Sequence, residues 1–414
     1  MVPELTTPLA VLISSLLSSD DGWDSLTVLG YVKGKQRGDI PMSKTRGLLP
    51  QSVLLNIMNL VVKERISPFI ETASADKGIQ NFILGGSKGC QPQDVSFTVM
   101  QVLEKGRDRR NQAAVAQADV EKFHDFVPWG FTLQGLLLRR IPAAWACAAL
   151  RLHRLPKVYL RVGDSTTPCL ARSRGVLTGA SSSGLLARIS VEDAFLAALP
   201  ELQPLGFRLD ASRTIVAMSW SDNLFTFSHD VQTACNMMAI WSGYLTRLCG
   251  LRLKPESHEV ISASHRLYRD HDFVQSGTTW HHVSLLQSLG QCISCTGAQA
   301  EDRRRLRRSW EASFSRNSKI LSCERISLTS RLQFWRMLSC GIGSFKFSMW
   351  TPSCSAARLV EGWHNLILQR IMRVRSQAGE PSDSFCRRRN RAVATARDNA
   401  NLGVTSQWAL CLIR

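Results

Sequence analysis

The sequence TIVAMSWSDNLFTFS at residues 214–228 is the clearest local signal for secondary structure in the chain. Two apolar runs rich in β-prone residues flank the polar tripeptide Ser221-Asp222-Asn223. Asp and Asn tolerate the left-handed backbone that a tight hairpin turn requires. The stretch therefore predicts a β-hairpin that carries Asp222 at its tip.

A second acidic residue, Asp119, ends an upstream stretch that also predicts a strand, because residues 113–119 alternate weakly. If this strand and the hairpin are neighbours in one antiparallel sheet, the carboxylates of Asp119 and Asp222 converge. Paired carboxylates suit Mg²⁺, and two such ions can clamp both oxygens of an in-line phosphoryl displacement. The spacing alone leaves open a simpler interpretation, in which each Asp only caps a turn.

The composition favours a polyanionic partner. The 414 residues include 51 Lys and Arg against 33 Asp and Glu, a formal charge of +18. Phosphate neutralisation with counterion release drives much of nucleic-acid binding, although a basic protein without that role remains open. The apolar residues 9–17 are too short to span a bilayer and lack the flanks of a signal peptide. We expect a nuclear or cytoplasmic protein that is not secreted and has no membrane partner.

The order of short motifs is more specific than any single motif. The segments ADVEKFHDFV, RGVLTGASSSGLL, WSDN and GLRLKPESHEV begin at residues 118, 174, 220 and 250. In this order they resemble motifs A to D of reverse transcriptases. Residues 46–71, 288–290 and 327–375 resemble the fingers, the YLG step and the thumb-side helices of LINE-type elements. The chain thus resembles, over residues 30–375, the reverse transcriptase domain of a non-LTR (LINE-type) retrotransposon.

The resemblance implies an α+β, right-hand polymerase-like fold with fingers, an antiparallel-sheet palm and a helical thumb. We place an N-terminal segment and the fingers at 1–110, the palm at 111–265 and the thumb or connection helices at 266–375. A basic C-terminal tail follows at 376–414, loosely structured to about residue 400. The implied reaction is RNA-directed DNA synthesis with Mg²⁺ or Mn²⁺. Its implied partners are an RNA template, a DNA primer and deoxynucleoside triphosphates.

The resemblance also assigns roles to individual residues. Asp119, Asp222 and the Val120 carbonyl would hold the metal ions, and Asn223 stands at the second acidic position of motif C. The residues expected to face the nucleotide are Arg46, Lys88, Val120, His124 and Gly179.

Several positions depart from the family pattern. Asn223 is a neutral and therefore poorer metal ligand than Asp. His124 stands where an aromatic side chain excludes the 2′-hydroxyl, Thr178 replaces a Gln, and Ser257 replaces a Lys. These losses are typical of a degenerate or truncated copy. They keep three alternatives open: a catalytically inactive nucleic-acid-binding relative, an intron-encoded maturase, and a product that does not fold stably.

Local patterns also predict two helices. Residues 52–66 place apolar side chains on one face and predict a helix that Pro68 ends. Residues 231–248 predict another helix, with Gly250 at its C-terminal cap.

Three other local signals complete the picture. A cluster on the expected thumb predicts contact with a duplex backbone, or else a solvated helix face: Arg303, Arg304, Arg305, Arg307 and Arg308. The GGSKG segment at 85–89 lacks the residue order of a phosphate-binding loop and predicts a plain loop. Cys292 and Cys295 form a lone CxxC, so we expect buried thiols and no structural zinc.

Overall fold

The computed structural model describes residues 27–34, 45–110, 112–162, 164–264, 270–295, 299–347, 350 and 353–413, besides Val11 and Ser15. Helices and strands combine in a mixed α+β fold. The chain divides into two compact units: Met1–Val95 with Val102–Ser284, and Ser96–Gln101 with Leu285–Arg414. No helix in the described part is long and apolar enough to cross a bilayer.

The first unit is organised around a six-stranded sheet in the order β11-β12-β10-β3-β9-β8. Its β10–β12 pair is parallel and the other four pairs are antiparallel. A four-stranded sheet, β2-β1-β4-β5, and the short pair β6-β7 accompany it. The strands are β1 (Thr27–Gly34), β2 (Thr45–Leu48), β3 (Ala114–Asp119), β4 (Lys157–Val162), β5 (Ser165–Thr166), β6 (Phe207–Arg208), β7 (Thr214–Ile215), β8 (Ala217–Trp220), β9 (Asn223–Ser228), β10 (Glu259–Ser262), β11 (His271–Gln275) and β12 (Thr278–His282).

Helices cover this central sheet and supply most of its core. They are α1 (Val53–Asp76), α2 (Pro92–Asp108), α3 (Phe123–Phe126), α4 (Trp129–Leu138), α5 (Ala143–Arg154), α6 (Ser183–Leu202) and α7 (Val231–Cys249). Helix α7 packs on β3 and β9, and α6 packs on α7. Phe195 and Trp241 meet there with ring centroids 5.2 Å apart. Gly250 ends α7 with φ 66°, the left-handed C-terminal glycine that the sequence predicts.

Helix α1 departs from the sequence prediction, because Pro68 does not end it. The helix continues to Asp76 with Pro68 in its interior. A proline inside a helix costs roughly 3 kcal/mol through the lost hydrogen bond and a steric clash. The buried face nevertheless continues on both sides through Ile66, Ile70 and Ser74. Tertiary burial of this face therefore outweighs the local break signal.

The second unit is a hairpin followed by six helices among its described residues. The elements are β13 (Leu285–Ser288), β14 (Gln291–Ser294), α8 (Ala300–Arg316), α9 (Ser318–Leu321), α10 (Leu328–Phe347), α11 (Cys354–Met372), α12 (Ser382–Asn399) and α13 (Val404–Ile413). Trp310, Trp335 and Phe347 are buried in its core. The thiols of Cys292 and Cys295 are both buried, as predicted.

The region after residue 266 is mostly helical, as the sequence predicts, although strands β11 to β14 occupy much of 271–294 before α8 begins. One sequence prediction for this part of the chain is wrong. The segment 376–400 is not loose, because α12 covers Ser382–Asn399 and packs on α11. Its many arginines hid one buried position, Val393, and the flanking alanines that favour a helix.

A buried ion pair fixes the start of α8 in this unit. The Lys346 ammonium lies 2.6 Å from the Asp302 carboxylate, and Trp350 donates its indole N–H to the same carboxylate at 2.8 Å. Asp302 is 2% exposed. Replacement of Asp302 by a neutral residue would be strongly destabilising, because the Lys346 charge would stay buried without a partner.

Candidate functional site

The two predicted metal-binding aspartates meet at one end of the central sheet. Strands β3 and β9 pair so that Asp119 lies opposite Asn223, the residue after Asp222. The Val120 N–H donates to the Asp222 carbonyl at 2.7 Å. Both aspartates are half-buried. The sequence predicted that the two aspartates converge if their strands are neighbours in one antiparallel sheet. The structure shows that these strands are neighbours.

The hairpin that carries Asp222 has a two-residue turn. Trp220 pairs with Asn223, which leaves Ser221 and Asp222 as the turn. Ser221 adopts the left-handed backbone with φ 56°. The sequence indicated Asp222 or Asn223 for this conformation, so the left-handed residue precedes both of them. The Asn223 amide donates to the Asp222 carboxylate at 3.2 Å. That contact orients the carboxylate but adds no negative charge.

The GGSKG loop supports this hairpin directly. The Ser219 N–H donates to the Phe82 carbonyl at 2.8 Å, and the Leu84 N–H donates back to the Ser219 carbonyl at 3.0 Å. Immediately after this pairing, a Cβ on Gly85 would lie 2.1 Å from the Ser221 nitrogen. Only glycine permits such an approach of two backbones. The loop therefore packs against the hairpin. Its closely spaced glycines are the feature of the sequence that could have indicated this contact.

A serine at the predicted motif D position holds the backbone of Asp119. The Asp119 N–H donates to the Ser257 hydroxyl at 2.9 Å, and that hydroxyl donates to the Lys254 carbonyl at 2.7 Å. The Lys254 N–H in turn donates to the Asp119 carbonyl at 2.8 Å. The Lys254 ammonium forms an exposed ion pair with Glu256 at 3.2 Å. Ser257 therefore has a positioning role that the sequence comparison, which noted only a missing lysine, did not reveal.

The same end of the sheet carries a third carboxyl group, Glu259. Burial raises the pKa of Glu259 and the charge of Asp119 adds to the rise, while the His281 imidazole opposes it. His281 is itself 2.6 Å from the Asp272 carboxylate. Asp119 and Glu259 therefore lie close enough for the charge of one to influence the other.

The donor chemistry of this edge fits a hard divalent cation. Among the described residues, no three His, Cys, Asp or Glu side chains form a group that holds a metal ion unaided. Asp119 and Asp222 offer two carboxylates, and Mg²⁺ commonly binds through one or two carboxylates plus water and substrate phosphates. The residues present therefore fit Mg²⁺ if the substrate or water completes the coordination.

A buried polar network fixes the loop that carries Gly179. The Leu177 N–H donates to His153 Nδ1 at 3.0 Å, which assigns the ring proton to Nε2. Nε2 then donates to the Ser182 hydroxyl at 2.8 Å, and that hydroxyl donates to the Asn59 side-chain oxygen at 2.6 Å. Burial, then the charges of Arg172 and His124, lower the pKa of His153 to about 3. The imidazole is therefore neutral, and the network ties α1, α5 and the loop together.

The remaining residues predicted to face the nucleotide lie on several separate segments of the chain. Gly179 has φ +98°, a backbone conformation that favours glycine. A Cβ added to Gly179 would lie 3.6 Å from the Leu49 carbonyl oxygen. The His124 carbonyl accepts the Val176 N–H at 2.7 Å. Lys88 is exposed. Arg46 lies in β2, but its side chain lies outside the described residues.

The arginine cluster lies on α8 in the second unit. Arg308 and Arg304 both pair with Glu301, and Arg307 pairs with Glu311 at 2.9 Å. The Arg305 guanidinium donates to the Gln287 side chain at 2.6 Å, whereas Arg303 is half-buried. Much of the charge expected to contact a duplex therefore has intramolecular partners.

Comparison with known proteins supports the fold. No protein-family model matches the chain, and no curated protein matches its sequence. The chain is similar to apo telomerase from Candida tropicalis, with 12% identity, a TM-score of 0.50 and coverage of 90% of this chain. It spans 63% of that telomerase chain. Telomerase of Candida albicans, in complex with a TWJ fragment of telomeric RNA, matches 86% of this chain and 62% of its own, with 10% identity and a TM-score of 0.44. The fold is thus similar to that of telomerase, a reverse transcriptase-related enzyme with a right-hand polymerase-like fold.

We predict that Gly85→Ala destabilises the chain by about 1–3 kcal/mol, because the added methyl group overlaps the Ser221 backbone. The free energy of unfolding from urea titration measures the effect. Gly130→Ala is the matched control, since a Cβ on Gly130 meets open space. We expect that control to be neutral or slightly stabilising. Equal stability of Gly85→Ala and wild type would show that the loop does not pack on the hairpin.

We predict that stability falls with acidification through His153. Its pKa is 6.5 when unfolded and about 3 when folded. Below pH 6.5 the unfolded chain gains a proton that the folded chain does not bind, so stability is complete above that pH and declines as the pH falls towards 3. The loss of unfolding free energy between about pH 7 and pH 5 should be smaller in His153→Gln by about 1–2 kcal/mol.

Glutamine can accept from Leu177 and donate to Ser182, which makes it a suitable probe. His229→Gln, the same substitution at another histidine of the first unit, serves as the control. The neutral buried His364 has a pKa of about 3 for the same reason, burial, and remains in every variant. A wild-type pH dependence in His153→Gln would contradict the assignment.

Proposed function

We propose that the chain is an RNA-directed DNA polymerase that transfers nucleotides onto a primer 3′-hydroxyl. One observation carries the proposal: the pairing of β3 with β9 brings Asp119 and Asp222 to adjacent positions. The similarity of the fold to telomerase supports it. Within the proposal, the first unit contains fingers and palm, and the second unit contains the thumb-side helices.

The chain's own residues would orient the reacting groups. Asp119 and Asp222 would hold divalent cations, which, when bound, lower the pKa of the attacking hydroxyl and offset charge on the transferred phosphate. The Ser257 hydroxyl and the Val120 N–H hold the backbone at these aspartates. Gly179 would allow the template-primer or the incoming base to approach the backbone, and His124 would lie beside the sugar.

The retrotransposon origin rests on motif order alone. The YLG-like step at 288–290 and the helices at 327–375 support a LINE-type element over an intron-encoded maturase. The chain spans 63% of the first telomerase that it resembles. The substrates and partners of the whole protein are therefore part of the proposal: an RNA template, a DNA primer and deoxynucleoside triphosphates.

A second candidate function is nucleic-acid binding without catalysis. The observation that favours it is the Asn223 amide, which donates to the Asp222 carboxylate where the family has a second acid. Replacement of the motif D lysine by Ser257 points in the same direction, because the hydroxyl cannot protonate a leaving pyrophosphate as readily as an ammonium. Both candidate functions predict binding to duplexes, but only the first predicts extension.

The deciding experiment is primer extension on a poly(rA)/oligo(dT) template with Mg²⁺ or Mn²⁺. We expect wild type to extend the primer and Asp222→Ala to lose at least about a hundredfold in rate, since charge stabilisation of the transition state is lost. Asp76→Ala, at an exposed position at the end of α1, is the matched control and should keep full activity. Wild-type protein that binds the duplex but does not extend it would establish the second function.

We predict that Asn223→Asp lowers the Mg²⁺ concentration needed for half-maximal extension by about tenfold. A carboxylate adds a charged hard-oxygen ligand and removes the amide that engages Asp222. A titration of extension rate against Mg²⁺ measures the change. Asn236→Asp, on α7, controls for an added charge elsewhere in the unit. An unchanged Mg²⁺ requirement in Asn223→Asp would place residue 223 outside the ion's coordination.

A further inference from the structure

Helices α10 and α12 of the second unit border a groove of about 760 Å³ that no role assigned so far explains. Its volume lies in the range of small-ligand sites. All of its lining residues belong to the second unit and are described. Among them are three arginines and no acidic residue.

The α12 wall presents two parallel stripes at helical spacing. Ala392, Ala396 and Ala400 form a smooth apolar stripe, and Arg391, Thr395 and Asn399 form a polar stripe beside it. Small side chains leave a flat surface on which a planar ring can lie. The neighbouring amide and hydroxyl can form hydrogen bonds with the edge of such a ring.

The α10 wall repeats the same combination. Leu328 and Leu332 continue the apolar surface, and Gln333 and Arg336 supply an amide and a cation. Arg336 and Arg391 are exposed, and no ion pair joins either of them to a carboxylate among the described residues. Arg336 forms a hydrogen bond with the Cys340 thiol, which is neutral because burial raises its pKa. Arg388 differs, because Glu380 holds its guanidinium through two contacts at 2.9 and 2.6 Å. Two cations in the groove are therefore available to an anionic ligand.

We propose that this groove binds a short single-stranded segment of RNA or DNA. The apolar stripes would contact one or two bases, the amides of Gln333 and Asn399 would bind base edges, and Arg336 and Arg391 would bind phosphates. Proteins bind single strands with little sequence preference through a positively charged groove that follows the phosphates and a surface on which bases stack. In this groove the alanine and leucine side chains, rather than aromatic rings, would provide that surface. An acidic peptide fits less well, because the alanine stripe offers no deep apolar pocket for side-chain anchors.

Binding in this groove requires neither a divalent cation nor the polymerase reaction, so it can be tested separately. The assay is fluorescence anisotropy of the full chain with a labelled single-stranded oligonucleotide of about eight nucleotides, in EDTA. The double variant Arg336→Gln/Arg391→Gln removes the free cations. Ala396→Trp fills the groove without a change in charge. The double variant Arg325→Gln/Arg358→Gln, at exposed positions outside the groove lining, is the matched charge control.

We expect Kd to rise about tenfold in both groove variants and less than about twofold in the control, a tenfold change corresponding to about 1.4 kcal/mol. Asp222→Ala should bind like wild type, so loss of extension and loss of groove binding are distinguishable. Thermal unfolding checks that each variant folds. If Ala396→Trp does not fold, Asn399→Leu at an exposed position tests the same wall, with an expected rise in Kd of about threefold.

Three results would overturn the inference. Unchanged affinity in the double variant would show that the groove does not contact the oligonucleotide. Weakening by charge removal with full affinity in the folded groove-filling variants would show a diffuse electrostatic contact. Displacement of the oligonucleotide from the groove by polyglutamate at lower concentration than by an unlabelled oligonucleotide would assign the groove to acidic peptides.

Discussion

The hydrogen bond from the Val120 N–H to the Asp222 carbonyl, 2.7 Å long, fixes the register on which the candidate site depends. Side chains alternate between the two faces of a sheet, so a slip of one residue between β3 and β9 would turn Asp119 to the opposite face. The pairing continues from Asp119 opposite Asn223 to Ala114 opposite Ser228. This buried ladder holds the backbones of Asp119 and Asp222 at adjacent positions.

The supports around the aspartates are mostly contacts with backbone atoms. Gly85 lets one backbone approach the Ser221 nitrogen, Ser257 holds the Asp119 N–H, and His153 holds the Leu177 N–H. Such contacts hold the backbone in place and do not depend on which side chain occupies the neighbouring site positions. This explains how Asn223 can replace a carboxylate while the surrounding architecture stays intact. Both proposed functions are therefore compatible with the same fold, and primer extension separates them.

The sequence correctly predicted those elements in which the local residue pattern and the tertiary packing favour the same structure. The hairpin at 217–228 and helix α7, with Gly250 after it, follow directly from alternation and from the cap residue. Predictions failed where burial outweighed a local signal, as at Pro68 inside α1, or where charge concealed a pattern, as in α12. The left-handed turn residue is Ser221 because the register between β8 and β9 decides which residues form the turn. The residue pattern of one segment does not reveal that register. The supports from Gly85 and Ser257 join segments more than a hundred residues apart, and local patterns contain no information on such contacts.

Net charge is a poor guide to where this chain presents free cations. The formal charge of +18 predicts affinity for polyanions, and the arginine run on α8 is its densest local source. Yet Glu301 and Glu311 offset three of those five arginines within the same helix. Exposed pairs of this kind contribute little to stability, but they must be broken or shared before the arginine can bind a phosphate. Arg336 and Arg391 border an apolar groove without such a competitor, so a single strand can bind there at lower cost. Sparse, unpaired arginines beside a flat apolar surface therefore identify a binding site better than a denser cluster does.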